Sequence, residues 1–213
     1  MKTNNVFIFG DSYSAFEGYV PEGYELHYYL GREDTDVKSV EDLWWHKLLK
    51  ETDGKLIMND SWSGSTIGYT GYHNVDCSET SSFICRLEKY LKEGFFEKNK
   101  IDTLFVFGGT NDSWCGAPIG EMMYEEWEKQ DLFSVLPAVC YFFKRLSEEL
   151  KDVKIVCLIN SRLNETITKG IKEAAGHYGA QVIQLGEMEV TGGHPTALGM
   201  EQIKEQILAN LNG

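Results

Sequence analysis

Five short, unbroken apolar runs constrain this chain more than any other feature: residues 6–9 (Val6-Phe7-Ile8-Phe9), 55–58, 103–107, 154–159 and 181–185. Each is too short for a helix, and each is continuous where a half-exposed strand would alternate. Strands covered by helices on both faces have this character. Helical patterns separate them. Residues 40–50 put Val40, Leu43, Trp44 and Leu48 on one face, and further helices are expected over residues 81–93 and 135–150. Asn164 is a natural N-cap for a helix reaching Tyr178, and Thr196 for a last helix that buries Met200, Ile203, Ile207 and Leu211. The alternation predicts an α/β fold, a three-layer α/β/α sandwich on a five-stranded parallel sheet. At 213 residues the chain reads as one domain, residues 1–213. Right-handed crossovers then put ligand sites at the carboxyl ends of the strands.

Charge narrows the partners. The chain carries 33 acidic and 20 basic residues, a net charge of −13. Such a surface repels phosphate backbones and anionic membranes, so nucleic acid is not an expected partner. No run of 18 apolar residues occurs, so no membrane span is expected. The chain opens Met1-Lys2-Thr3-Asn4-Asn5 and enters a strand directly, without the apolar stretch of a secretion signal. Five cysteines (Cys77, Cys85, Cys115, Cys140 and Cys157) are an odd number without a CxxC pair. Cys140 and Cys157 read as buried small hydrophobes, and Cys77 and Cys85 are the pair that could bridge. Free thiols are the expectation, and with them a cytoplasmic location, a removed leader staying open. His27, His46, His73 and His177 share no metal-ligand spacing, so no zinc site is expected. The oligomeric state is open.

The chemistry-bearing motifs all follow strands. After the first comes Gly10-Asp11-Ser12, where Gly10 permits a sharp turn and Ser12 falls at the sheet edge. A serine hydroxyl needs a base to become a nucleophile. After the second strand, the Asn59–Thr66 stretch includes Gly64, whose unhindered N–H suits an oxyanion. After the third, Gly108-Gly109-Thr110-Asn111-Asp112 offers the Asn111 side-chain amide as a second donor. After the fifth, Gly192-Gly193-His194-Pro195 sets His194 ahead of a helix start, placed as a general base. Each piece alone also reads as an ordinary turn. Together they supply nucleophile, two oxyanion donors and base on one edge of one sheet.

In that order the blocks resemble the SGNH (GDSL-like) hydrolase family, whose name lists Ser, Gly, Asn and His. Gly10-Asp11-Ser12 resembles its first block, Gly64 the glycine of its second, Gly109-Thr110-Asn111-Asp112 its third block and His194-Pro195 its last. The resemblance implies a flavodoxin-like sandwich, ester hydrolysis without metal or organic cofactor, and the Ser12 N–H as a further oxyanion donor. One position departs: the family usually has Asp three residues before the histidine, where this chain has Thr191. Glu189 is the first alternative for the orienting acid. A Ser–His dyad helped by Thr191 or a backbone carbonyl is the second, and Glu187 the third.

Two connections, residues 13–39 and 113–134, exceed ordinary loop lengths and leave the same edge. The first carries Phe16, Tyr19, Tyr24, Tyr28 and Tyr29; the second carries Trp114, Tyr124 and Trp127. They are expected to wall a pocket for an acyl chain or sugar ring, or else to pack as a lid. His73 lies where it could approach the site, and Arg86 is either a surface charge or a contact for a substrate carboxylate. The expected activity is cleavage of a short acyl or acetyl ester, on a carbohydrate or another small alcohol. Peptidase, thioesterase or acyltransferase chemistry would use the same parts. The main alternative is an SGNH fold that holds a glycan with weakened catalysis. A phosphate-binding flavodoxin-like protein is disfavoured because Asp11 would repel phosphate.

Overall fold

A computed structural model describes residues 3–211. The apolar runs become β1 (Asn5–Gly10), β2 (Lys55–Ser61), β3 (Thr103–Phe107), β4 (Lys154–Ile159) and β5 (Gln181–Gln184). They form one parallel sheet in the order β2-β1-β3-β4-β5. Side chains alternate across it. Phe7 and Phe9 pack under one helical layer with Phe83, Leu87, Phe142 and Ile171, while Val6 and Ile8 face the other with Trp44, Leu48, Ile203 and Ile207. Both faces are therefore dry, which is why the runs carry no polar alternation.

The first layer holds α2 (Phe83–Lys92), the short α3 (Phe95–Lys98), α5 (Val135–Glu149) and α6 (Glu165–His177). The second holds α1 (Trp44–Thr52) and α7 (Ala197–Leu211). This is the three-layer α/β/α sandwich expected from the sequence. Asn164 caps α6 through the N–H groups of Thr166 and Ile167, and the Thr196 hydroxyl accepts from Gly199 at the start of α7. Residues 40–42 form a separate 3-10 turn before α1, because Leu43 is extended (φ −67°, ψ 139°). β2 runs three residues beyond its apolar run, through Asn59, Asp60 and Ser61, all buried. Their polar side chains are paired below the functional edge, so the strand continues where the sequence suggests a loop. The five cysteines are all unbridged, Cys77 and Cys85 included.

Topology positions the site. β1 and β3 are neighbours, and the chain leaves each at its carboxyl end. β1 carries on to α1 and β2 on one side, β3 to β4 and β5 on the other. The split between the two halves opens a crevice at that edge. A five-residue helix, α4 (Thr110–Trp114), follows β3 there. A small hairpin of β6 (Val190–Thr191) and β7 (His194–Pro195), turned by Gly192 and Gly193, brings the last segment to the same edge.

Candidate active site

Ser12 stands in a tight turn at the end of β1. Ser14 and Ala15 both return N–H bonds to the Asp11 carbonyl, at 3.1 and 3.2 Å. The turn is pinned through Ser14: the Trp44 indole donates to its hydroxyl, and the Trp45 indole and Asn59 amide donate to its carbonyl. Gly10 is required here, since a Cβ would strike the Ser61 hydroxyl and the Ser14 side chain. Ser12 is thus held, with only 6% of its surface exposed.

His194 meets it from the hairpin. Its Nε2 lies 3.0 Å from Ser12 Oγ, and its Nδ1 lies 3.3 Å from the Gly192 carbonyl. A carbonyl can only accept, so Nδ1 carries the proton and Nε2 is free to accept the Ser12 hydroxyl's. Tyr13 and Tyr28 brace the hairpin by donating to the carbonyls of Gly193 and Pro195, both at 2.6 Å. Burial keeps the His194 imidazole below its ordinary pKa; the Gly192 carbonyl opposes this and Arg32 adds to it.

The candidate oxyanion donors line the same cleft, of about 400 Å³, with Ser12 and His194. Gly64 occupies left-handed backbone space (φ +80°), open to a glycine and strained for other residues. The Asn111 amide is oriented at both ends. Its Nδ2 donates to the Ser65 carbonyl at 2.9 Å and its Oδ1 accepts from the Tyr72 hydroxyl at 3.0 Å. Asn111 also lines the cleft. Asp112 locks the two loops together, accepting from the N–H groups of Ile67 and Gly68. Below them lies a buried ion pair. Arg86 bonds the Asp60 carboxylate and also reaches Ser65 Oγ (3.2 Å) and the Gly10 carbonyl (3.4 Å), while Tyr24 and Tyr90 donate to Asp60. Arg86 is therefore neither a surface charge nor a substrate contact; its place on the buried stripe with Phe83, Leu87 and Tyr90 is the sequence signal for that.

Asp11 is wholly buried, with Oδ1 accepting the Tyr13 N–H at 3.0 Å. Burial pushes its carboxyl up to about 7; Asp112 adds to this, while the Tyr13 N–H, the Thr110 hydroxyl and Arg86 pull it down.

Neither glutamate expected to orient His194 bonds its Nδ1, whose partner is the Gly192 carbonyl. Glu189 accepts the Thr196 hydroxyl at 2.6 Å, and Glu187 is exposed. Thr191 is exposed and pairs with His194 through the hairpin backbone. His73 is exposed and outside the cleft, while its neighbour Tyr72 lines it. The first long connection walls the cleft through Glu25, Leu26 and His27. Its aromatic residues do other work: Phe16 and Tyr28 are core, and Tyr24 stacks on Trp62. The second connection contributes Trp114 from its start, while Tyr124 and Trp127 pack on the helical layer.

A serine and a histidine in contact at the carboxyl edge of an α/β/α sheet define a hydrolase-type scaffold. The sequence matches the family described as GDSL-like Lipase/Acylhydrolase over residues 4–211, and the chain belongs to it. Its general activity is ester hydrolysis. It is similar to a candidate GDSL-like lipase of Bacteroides ovatus ATCC 8483, with 39% identity, 100% of this chain and 99% of that chain covered, and a TM-score of 0.91. A second, from Bacteroides uniformis ATCC 8492, is 37% identical over 99% of this chain and 96% of that one, with a TM-score of 0.89. A family two carbohydrate esterase from Clostridium thermocellum, solved with cellohexaose, shares the fold at 12% identity, covering 98% of this chain and 63% of that chain, with a TM-score of 0.64. No curated protein sequence matches the chain.

Proposed function

We propose that this protein is a serine esterase that cleaves a short acyl ester through an acyl-enzyme. The observation that carries the reading is the 3.0 Å contact between Ser12 Oγ and His194 Nε2. His194 takes the Ser12 proton as Oγ bonds to the ester carbonyl carbon. The oxyanion that forms is met by the N–H groups of Ser12 and Gly64 and the Asn111 amide. The C–O bond to the alcohol then breaks, and His194 gives that oxygen its proton. Water repeats the sequence, releasing the acid and restoring Ser12. Gly192's carbonyl holds the His194 tautomer, so the machinery is a dyad. The small cleft suits an acetyl or short acyl group. Trp114 and Tyr72, both 38% exposed on its rim, offer flat faces for a sugar ring carrying that group.

One observation favours a second reading, a glycan-binding protein with weakened catalysis: the partner of His194 Nδ1 is a neutral carbonyl. A fluorophosphonate probe, run beside chromogenic esters of graded acyl length and acetylated sugars, separates the two. The esterase reading expects one label per chain, lost in Ser12→Ala, and fastest turnover on the shortest acyl groups. A chain that neither labels nor turns over any ester, yet binds sugar, belongs to the second reading.

A further inference from the structure

The first long connection delivers a second imidazole to the base. The His27 ring lies parallel to that of His194, with centroids 3.3 Å apart and planes 10° from parallel. The other rings around His194 meet it at steep angles: Tyr13 at 57° and 5.7 Å, Tyr28 at 85° and Trp114 at 86°, both at 6.4 Å. His27 is also firmly set. Arg32 donates to its carbonyl. Tyr28, next in sequence, is fully buried and donates to Pro195, next after His194. On the other side the Glu25 carbonyl accepts the Ser63 N–H at 3.0 Å. The segment thus bridges the Gly64 loop and the His194 hairpin.

We propose that His27 is a positioning residue for His194, its uncharged ring face doing part of the work of a triad carboxylate. The inference rests on the reading of His194 as general base. At 3.3 Å the Gly192 carbonyl is a long, single, neutral acceptor, which fixes the tautomer but leaves the ring plane loosely set. A flat partner at van der Waals distance sets that plane, because twisting either ring drives its edge into the other. When His194 becomes an imidazolium, the same face presents π density to the cation, which is attractive. A protonated His27 would instead repel it. Burial drives the His27 pKa down to about 3; His194 and Arg32 push the same way and Asp34 opposes. Glu25 lines the Ser12 side, Arg32, Glu33, Asp34, Asp36, Lys38 and Glu189 line a second cleft behind the pair, and α4 contributes the neutral Trp114.

The test is NMR titration of the His194 imidazole, assigned with His194→Gln, in wild type, His27→Phe and His27→Ala, with steady-state kinetics on one short ester. Thermal melts confirm that each variant folds. His27→Phe keeps a flat neutral face, so the His194 midpoint and kcat are expected within about threefold of wild type. His27→Ala opens the ring to water, so the midpoint is expected to climb toward about 6.5, and kcat to fall about tenfold or more with KM little changed. An unchanged His194 midpoint in His27→Ala overturns the proposal, whatever kcat does. So does a kcat loss in His27→Phe equal to that in His27→Ala, which would make a ring nitrogen the active feature. The titration needs no substrate. Absence of Ser12 labelling in wild type therefore breaks the esterase reading alone, and an unmoved His194 midpoint breaks the stacking proposal alone.

Discussion

The Glu189 carboxylate accepts the Thr196 hydroxyl at 2.6 Å, and Glu189's own carbonyl accepts the Thr196 N–H at 3.1 Å. The pair clamps the entry to α7. Glu189→Ala is accordingly expected to lower stability by about 1 kcal/mol, the usual net value of such a bond. Its kcat/KM is expected within about threefold of wild type, since a true orienting carboxylate costs far more. A loss of a hundredfold with unchanged stability would return Glu189 to the base.

The low pKa of His194 makes a directional prediction. On the proposed mechanism only the unprotonated ring accepts the Ser12 proton. Activity is lost as pH falls through the pKa of His194, which burial holds down. The acid limb of kcat/KM is therefore expected below about 6.5, the ordinary histidine value. A limb midpoint above that value contradicts it.

Tyr72 and Asn111 should separate in magnitude. Asn111→Ala removes the proposed oxyanion donor and is expected to lower kcat about a hundred- to a thousandfold with little change in KM. Tyr72→Phe removes only the hydroxyl that orients the amide, a net loss of about 1 kcal/mol, or roughly fivefold in kcat. A KM effect larger than the kcat effect in either variant would assign it to substrate binding.

Arg86 and Asp60 are 2% and 0% exposed, so removing one strands the other's charge in the core. Arg86→Met is expected to cost about 3–5 kcal/mol, which lowers Tm on the order of 10 °C in a chain of this size. Adding Asp60→Asn should recover part of the loss. A double variant no more stable than Arg86→Met would argue against pairing as the cause.

Asp11 predicts a pH-dependent stability. Its carboxyl titrates near 3.8 when unfolded and near 7 when folded. Between those values the folded state holds a proton that the unfolded state has released, so stability falls as pH rises from about 4 to about 7. Asp11→Asn keeps the acceptor for the Tyr13 N–H and removes the titration. Urea denaturation should show the variant gaining on wild type across that window; a constant difference would mean Asp11 is charged in both states.

The sheet and the shared edge of Ser12, Gly64, Asn111 and His194 were legible because buried parallel strands are unbroken apolar runs and each motif lies in the connection after one. Asp60 was obscured by position: polar residues after an apolar run look like a loop, and their buried partners, Arg86, Tyr24 and Tyr90 on Asp60 and Ser14 on Asn59, let β2 continue through them. His27 could not be read at all. It sits in a connection without periodicity, and its place depends on ties to Ser63 and Pro195, far away in sequence. Glu189 misled because nearness in sequence to His194 says nothing about where a hairpin points its side chains.

Ser12 and His194 stand 182 positions apart in sequence. At synthesis speeds of about 5–20 residues per second, roughly 10–40 s separate the addition of the two. A nascent chain can pair β1 with β2 and β3 in that interval, yet it carries a serine with no base. On the proposed mechanism, turnover reports that translation has passed His194 and that the last hairpin has docked. A premature stop just before the His194 codon would leave most of the sheet intact and, on the proposed mechanism, the chemistry silent.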